Sequence, residues 1–189
     1  YTLGQTKALV KSKYNFKSSD VTFLVDKMEF FSKEKTIVTD DSNLYKLEKF
    51  NYLINNELLK GEKVLVNTKY NLPKSDKFYF DSAVVNLKEQ SFFGTDTKIE
   101  IHKDIFDNSK NDPRILGVSA TSDENFTKIN KGVFTSCRKN EKCTPWSIKA
   151  KEIIHDKDKK EIIYKNAFLK IYDLPILYFP KFFHPDPTV

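Results

Sequence analysis

Apolar and polar residues alternate with a period of two over many short stretches of the chain, and this pattern is typical of half-buried β-strands. In one stretch Trp146, Ile148 and Ala150 alternate with polar residues, and in another Ala167, Leu169 and Ile171 alternate with Phe168, Lys170 and Tyr172. Turn-forming clusters bound these runs, among them Asn-Asp-Pro, Asn-Lys-Gly and Asp-Lys-Asp. The pattern predicts an all-β protein of about ten or more strands.

Residues 42–60 have a second possible interpretation. Leu44, Leu47, Phe50 and Leu53 are spaced as on one face of a helix. We favour strands here, because the segments on both sides alternate with period two.

Two segments of the chain resemble each other. KYNFKSSD (13–20) and KYNLPKSD (69–76) share five residue types at an offset of 56 positions. A repeated strand–turn–strand unit that buries one face predicts a sandwich, a jelly roll or an open solenoid.

Charge and composition narrow the function without fixing it. The 189 residues carry a net charge of +6, which suits an anionic partner or simply a solvated, lysine-rich surface. The lysines are scattered, which argues against a nucleic-acid groove. No stretch approaches the roughly 20 apolar residues of a membrane-spanning helix.

The candidate chemical groups do not combine into an active site. A zinc site usually takes four Cys or His ligands in close pairs, whereas Cys137 and Cys143 are six positions apart and His102, His155 and His184 are isolated. A nucleophilic cysteine lacks a local base. The five glycines are dispersed, so no phosphate-binding loop is present. We therefore expect no enzyme, no metal and no cofactor.

The two cysteines allow three states. Cys137 and Cys143 flank a polar loop between two predicted strands, and they can form a disulfide if their Cα atoms come within about 7 Å. Either can instead pair with a cysteine elsewhere in a longer chain, or both can remain thiols. A disulfide would place the protein in an oxidising compartment such as a bacterial periplasm.

Several motifs of the second half resemble a known family. GVFTSC, W-x-I-K-A-x-E-I-x-H-D, K-N-A-x-L-K-I-x-D-L-P-I-L-Y-F-P and FFHPDPTV together are similar to the LptD (OstA) family of outer-membrane lipopolysaccharide-assembly proteins. The likeness is close from 76 to 180 and looser over 1–75, which resembles the repeat of the pathway's periplasmic bridge proteins. The resemblance implies one periplasmic domain over 1–180, an open, V-shaped jelly roll of two antiparallel sheets. Residues 181–189 then form the junction to an absent C-terminal barrel.

What the resemblance implies about function is transport. The domain would sit on the periplasmic side of the outer membrane of a Gram-negative cell, receive lipopolysaccharide from a bridge protein by edge-strand pairing, shield its acyl chains between two sheets and pass it to the barrel. Its partners would be lipopolysaccharide, the bridge protein, the barrel and the plug lipoprotein LptE, with no nucleic acid. A free-standing bridge protein and a secreted carbohydrate-binding sandwich are the alternatives.

The resemblance and the alternation together yield specific residues. A cysteine at the position of Cys137 ties this domain to the barrel in the family, so whether it pairs with Cys143 or with barrel cysteines stays open. From the alternation, the residues expected to line the apolar slot are Phe80, Val85, Leu87, Ile99, Ile101, Ile148, Leu169 and Ile171.

Overall fold

The computed structural model shows fifteen β-strands and no α-helix in the residues it describes, which are 1–72, 75–101, 112–137 and 145–185. The described strands pair with their neighbours in antiparallel orientation. The all-β prediction is therefore confirmed. The strands are β1 (Gln5–Val10), β2 (Tyr14–Ser19), β3 (Thr22–Leu24), β4 (Glu29–Ser32), β5 (Thr36–Thr39), β6 (Leu44–Leu47), β7 (Lys49–Leu53), β8 (Leu58–Asn67), β9 (Lys77–Asn86), β10 (Ser91–Glu100), β11 (Arg114–Ser122), β12 (Phe126–Thr135), β13 (Trp146–Asp156), β14 (Glu161–Ile171) and β15 (Leu174–Pro185).

The strand order is that of an open sheet. It runs β1-β2-β5-β6-β8-β9-β10-β11-β12-β13-β14-β15, with β3, β4 and β7 on a side branch. In the described part of the chain β1 pairs only with β2, and β15 only with β14, so the sheet does not close. This agrees with the predicted open jelly-roll class. The chain divides into two compact units, residues 1–94 and 95–189. The domain limits inferred from the resemblance, at 75/76 and 180/181, remain predictions.

Unit 1 branches because one long strand is interrupted. β6 and β7 both pair with β8, from Leu44 opposite Asn67 to Leu53 opposite Leu58, and Glu48 separates them. Beyond this point β6 continues through β5 to β2 and β1, whereas β7 continues through β4 to β3. The preference for strands over a helix at 42–60 is confirmed.

The interruption explains the helix-like spacing of that segment. The buried residues are Tyr45 and Leu47 before Glu48, and Phe50 and Tyr52 after it. Each pair keeps the period of two, but the step across Glu48 is three. A strand whose inner face shifts by one position therefore imitates a helical pattern over a short window.

Four of the longer strands, β8, β10, β12 and β14, change their inner face at a left-handed residue. In β12, Ile129 is buried before Lys131, and Gly132 and Phe134 are buried after it. In β14, Tyr164 is buried before Asn166 and Ala167 after it. A residue with positive φ breaks the alternation of the pleat, so each half keeps its own buried face. These residues are Lys63 (φ 47°), Asp96 (φ 48°), Lys131 (φ 50°) and Asn166 (φ 49°).

Near these changes of the buried face, glycines occupy positions where a neighbouring side chain packs directly against the backbone. A Cβ on Gly132 would lie 2.5 Å from Cδ1 of Ile153, and one on Gly94 would overlap the ring of Phe80. No real Cβ tolerates such approaches without a shift of the neighbour. The missing side chain at these positions is therefore a packing requirement.

The internal sequence similarity does not correspond to a repeated structure. Residues 14–19 of the first copy form β2, whereas residues 69–72 of the second copy form a turn after β8. Positions 73 and 74 lie outside the described residues. The expectation of a shared strand–turn–strand unit is wrong for this pair, because five matching polar and aromatic positions do not fix an apolar alternation.

Candidate functional site

The interior of unit 1 consists of aromatic rings from its two branches, which pack against each other. Phe16 of β2 packs against Phe30 of β4 with ring centroids 4.9 Å apart, and against Tyr52 of β7 at 5.1 Å. Phe30 in turn contacts Phe50 at 5.6 Å. Edge and tilted arrangements at these separations are the favourable ones for aromatic pairs. The branches therefore enclose an apolar interior.

An apolar cavity extends this interior toward the two outermost strands of the branches. Its volume is about 190 Å³. Strands β1 and β2 line it on one side and β3, β4 and β7 on the other. The lining residues are Thr6, Ala8, Phe16, Ser18, Val21, Phe23, Phe30 and Phe50. The cavity thus lies between the free edge strand of one branch, β1, and the outer strand of the other, β3.

A polar clasp joins the branches beyond the cavity. The Nζ of Lys11 donates to Oε1 of Glu57 at 2.5 Å, and the hydroxyl of Tyr14 donates to Oε2 at 2.8 Å. The hydrogen bond from Lys11, followed by that from Tyr14, lowers the pKa of the Glu57 carboxyl. Burial, together with the Glu57 carboxylate, raises the pKa of the Tyr14 hydroxyl far above its usual value. The clasp connects the β1–β2 turn to the β7–β8 turn.

Four of the eight predicted slot residues are buried, as they would be either in a slot or in an ordinary core. Phe80 packs in a three-ring cluster, 5.6 Å from Phe92 and 6.5 Å from Phe78. Val85, Leu87 and Ile99 are buried as well. All four point inward, as the alternation predicts. Their contact with a ligand remains a prediction.

The other four predicted residues differ in exposure. Ile148 and Leu169 are half-buried and pair with each other across β13 and β14. Ile101 is half-buried just after β10, and Ile171 is 43% exposed near the end of β14. Ile171 departs from the expectation of a sheltered slot residue, because it lies beside the turn that leads into an edge strand.

Ile148 and Leu169 belong to an inner row of unit 2 that opens toward the free edge. Phe134 pairs with Ile148, Ile148 with Leu169, and Leu169 with Leu177 of β15. Exposure rises along this row from 4% at Phe134 to 52% at Leu177. The row therefore offers apolar surface that is partly accessible, unlike the residues of the closed core.

The cavity residues of unit 1 were missed by sequence reasoning. Phe16, Phe23 and Phe30 lie in residues 1–75, where the family likeness is looser, whereas every slot residue predicted from the sequence lies after residue 75. A signal was present: Tyr14, Phe16 and Ser18 alternate with Asn15, Lys17 and Ser19, as in an inward-facing strand. The alternation does not predict the strand connections that bring Phe16 of β2 into contact with Phe30 of β4.

Of the two cysteines in the predicted disulfide, the structure describes Cys137. Its N–H donates to Oγ1 of Thr135 at 3.2 Å, and its thiol donates to the carbonyl of Trp146 at 3.6 Å. Arg114 donates to the Cys137 carbonyl. Cys143 lies outside the described residues, so the choice between Cys143 and a barrel cysteine as partner stays a prediction.

Polar chemistry is sparse in the described parts of both units. No group of three or more His, Cys, Asp or Glu side chains there is arranged to hold a metal ion. The hydroxyl of Tyr164 shares a hydrogen bond of 3.2 Å with Nε2 of His184. Among the described residues no helix is long and apolar enough to cross a membrane.

Comparison with known proteins agrees with the family likeness noted from the motifs. No protein-family model matches the chain. LPS-assembly protein LptD of Hahella chejuensis (strain KCTC 2396) is 31% identical over 100 residues. Over these residues the chain is similar to LptD. The matched part is 53% of the chain and 12% of that LptD.

The short extent of the match limits which properties of LptD can be inferred for this chain. A region that spans about an eighth of a relative's length says nothing of the other parts of that protein. The predicted resemblance to LptD is confirmed, and the open all-β fold is consistent with it.

Proposed function

We propose that this chain is the periplasmic lipid-carrying domain of a lipopolysaccharide translocon in the outer membrane of a Gram-negative bacterium. It receives lipopolysaccharide from a periplasmic bridge protein, shelters the acyl chains in its apolar interior and passes them to a membrane barrel and its plug lipoprotein, LptE. Similarity to LptD supports a non-enzymatic role in lipopolysaccharide transport. The finer steps are our inference from the geometry.

The observation that carries the proposal is the apolar cavity between the branches of unit 1. Its walls are almost entirely hydrocarbon and aromatic, and one wall residue, Phe23, is itself 44% exposed to solvent. Moving an acyl chain from water into such a cavity stabilises it by about 0.8 kcal/mol for each buried CH₂ group. A saturated chain needs no polar partner, which fits a site that provides few.

The free strand β1 supports the proposed docking of a bridge protein. β1 leaves one side without a strand partner in the described structure, and an exposed edge accepts a further strand by main-chain hydrogen bonding. Because β1 also lines the cavity, a strand added there would continue the cavity wall into the partner. Lipid would then pass along a continuous apolar surface.

Site-specific photocrosslinking to purified lipopolysaccharide tests the proposal. A photoreactive amino acid replaces Phe23 in one variant and Ile37 in the matched control. Ile37 is 39% exposed, but it points outward from β5, between the buried Thr36 and Val38. We expect lipopolysaccharide adducts at position 23 and none at position 37.

The result that would overturn the proposal is equal labelling at both positions, or none at either in a folded protein. Labelling by a de-acylated saccharide as strong as that by lipopolysaccharide would favour a carbohydrate-binding sandwich.

A further inference from the structure

The hairpin of β14 and β15 ends in an exposed apolar tip, residues 168–178. Its turn is Tyr172-Asp173, both with positive φ (45° and 68°). The large apolar residues around this turn are 43–66% exposed, namely Ile171, Tyr172, Leu174, Ile176, Leu177 and Tyr178. Apolar patches of this kind mark interaction surfaces in water-soluble domains.

The tip is apolar on both of its faces. On the outer face Phe168 pairs with Tyr178, with ring centroids 4.9 Å apart, and on the inner face Leu169 pairs with Leu177. A ligand held against the inner face alone leaves the outer face in water. The occupant of the tip must therefore surround it.

The backbone of β15 is poorly suited to an added strand. Three of its twelve residues are Pro175, Pro180 and Pro185, which have no N–H to donate to a ladder. Prolines are one of the means by which edge strands avoid pairing with another chain. The apolar side chains, rather than the strand edge, are therefore the binding element.

The charges around the tip follow the order found in segments that lie in a membrane interface. The charges within the tip compensate each other, since Lys170 and Asp173 form an ion pair of 3.1 Å. Exposed Lys149 lies opposite Phe168, at the base of the tip, and farther from the turn Lys181 lies opposite Lys165, which is ion-paired with Glu152. Apolar residues and Tyr172 surround the turn, and exposed lysines begin at the base of the tip, where anionic headgroups would meet them.

We propose that the hairpin tip 168–178 inserts into the boundary between the headgroups and acyl chains of an anionic lipid bilayer. The lysine distance supports this depth: Lys181 is about seven strand residues from the turn, or about 23 Å at roughly 3.3 Å per residue, and Phe168 is about 13 Å from it. The tip enters the boundary, Lys149 lies level with its base, and Lys181 stays outside it. This docking is independent of acyl-chain binding in unit 1.

Flotation with lipid vesicles tests the proposal on the whole chain. The probes are vesicles of phosphatidylethanolamine with phosphatidylglycerol, and vesicles of phosphatidylcholine alone. The tip variant carries Tyr172→Ser, Leu174→Ser and Ile176→Ser. The matched control carries Leu3→Ser, Leu9→Ser and Val25→Ser, which are as exposed as the tip residues but lie in unit 1.

We expect the parent chain and the control to float with the anionic vesicles, and the tip variant to bind them at least about tenfold more weakly. Binding to phosphatidylcholine should be weaker, and added salt should reduce the binding to anionic vesicles. Lipids brominated on the acyl chain should quench the tryptophan fluorescence of a Leu174→Trp variant.

Two outcomes would overturn the proposal. One is vesicle binding that the tip variant retains in full. The other is self-association of the parent chain in solution that the tip variant abolishes, without vesicle binding, which would assign the tip to a second copy. An Ala8→Phe variant with a blocked cavity should still float, so failure here and failure of the proposed function are distinguishable.

Discussion

The clasp of Lys11, Tyr14 and Glu57 should contribute measurably to stability through one of its two hydrogen bonds. Tyr14→Phe removes a buried hydroxyl that donates to an ionised carboxylate at 2.8 Å. Hydrogen bonds to charged groups contribute about 1.5–3 kcal/mol. Lys11→Met removes an ion pair whose lysine is 42% exposed, and solvent screening reduces such pairs to about 0.2–1 kcal/mol.

The pH dependence of the clasp has a defined sign. The hydrogen bonds from Lys11 and Tyr14 lower the pKa of Glu57 in the folded chain. The contribution of Glu57 is therefore fully present above the unfolded pKa of about 4.3, and it is lost as the pH falls through the lower folded pKa. The difference in stability between the parent chain and Tyr14→Phe should shrink over that acid range.

Thermal unfolding followed by far-UV circular dichroism measures both effects. For a chain of this size each kcal/mol corresponds to about 2–4 °C in Tm, so Tyr14→Phe should lower Tm at pH 7 by about 3–12 °C. Lys11→Met should lower it by less than about 4 °C. Equal Tm values for the parent chain and Tyr14→Phe at pH 7 would refute the argument, as would a difference between them that does not change with acidification.

Two further substitutions test the packing around Gly94 and the hydrogen bonds of Asp40, both in unit 1. Gly94→Ala should lower the free energy of unfolding by about 1–3 kcal/mol, because the new methyl group overlaps the Phe80 ring. This loss should largely disappear in a background of Phe80→Ala. Denaturant titration of the parent chain, the two single variants and the double variant measures the coupling between the two positions. Asp40→Ala should destabilise by about 1–3 kcal/mol, because Asp40 Oδ1 accepts the N–H groups of Ser42 and Asn43 at 2.8 and 2.6 Å; Asp41→Ala, at the exposed neighbour, is its control and should change stability by less than about 0.5 kcal/mol.

Local pattern was sufficient to predict the fold class. Alternation such as that of Trp146, Ile148 and Ala150 depends only on the pleat, so it identifies strands and their inner faces without knowledge of partners. The same reasoning placed Phe80, Val85 and Leu87 inward, as the structure shows.

The local sequence pattern did not predict which distant strands pair with each other. The cavity forms because Glu48 interrupts one strand and sends β6 and β7 to different neighbours, which brings Phe16 opposite Phe30. Left-handed residues such as Lys131 add a second difficulty, because a lysine at a change of face resembles an ordinary exposed lysine in sequence. Only the three-dimensional pairing separates a closed core residue from one that lines an accessible cavity.

Filling the cavity tests the central claim most directly. Ala8→Phe places a ring in the cavity of about 190 Å³, whereas Leu9→Phe places the same ring on the outward, exposed face of β1. The measurement is the affinity of each chain for fluorescently labelled lipopolysaccharide, with Tm as the check on folding. The account predicts at least about tenfold weaker binding for Ala8→Phe and unchanged binding for Leu9→Phe. Equal, tight binding by both folded variants would contradict it and place the acyl chains elsewhere.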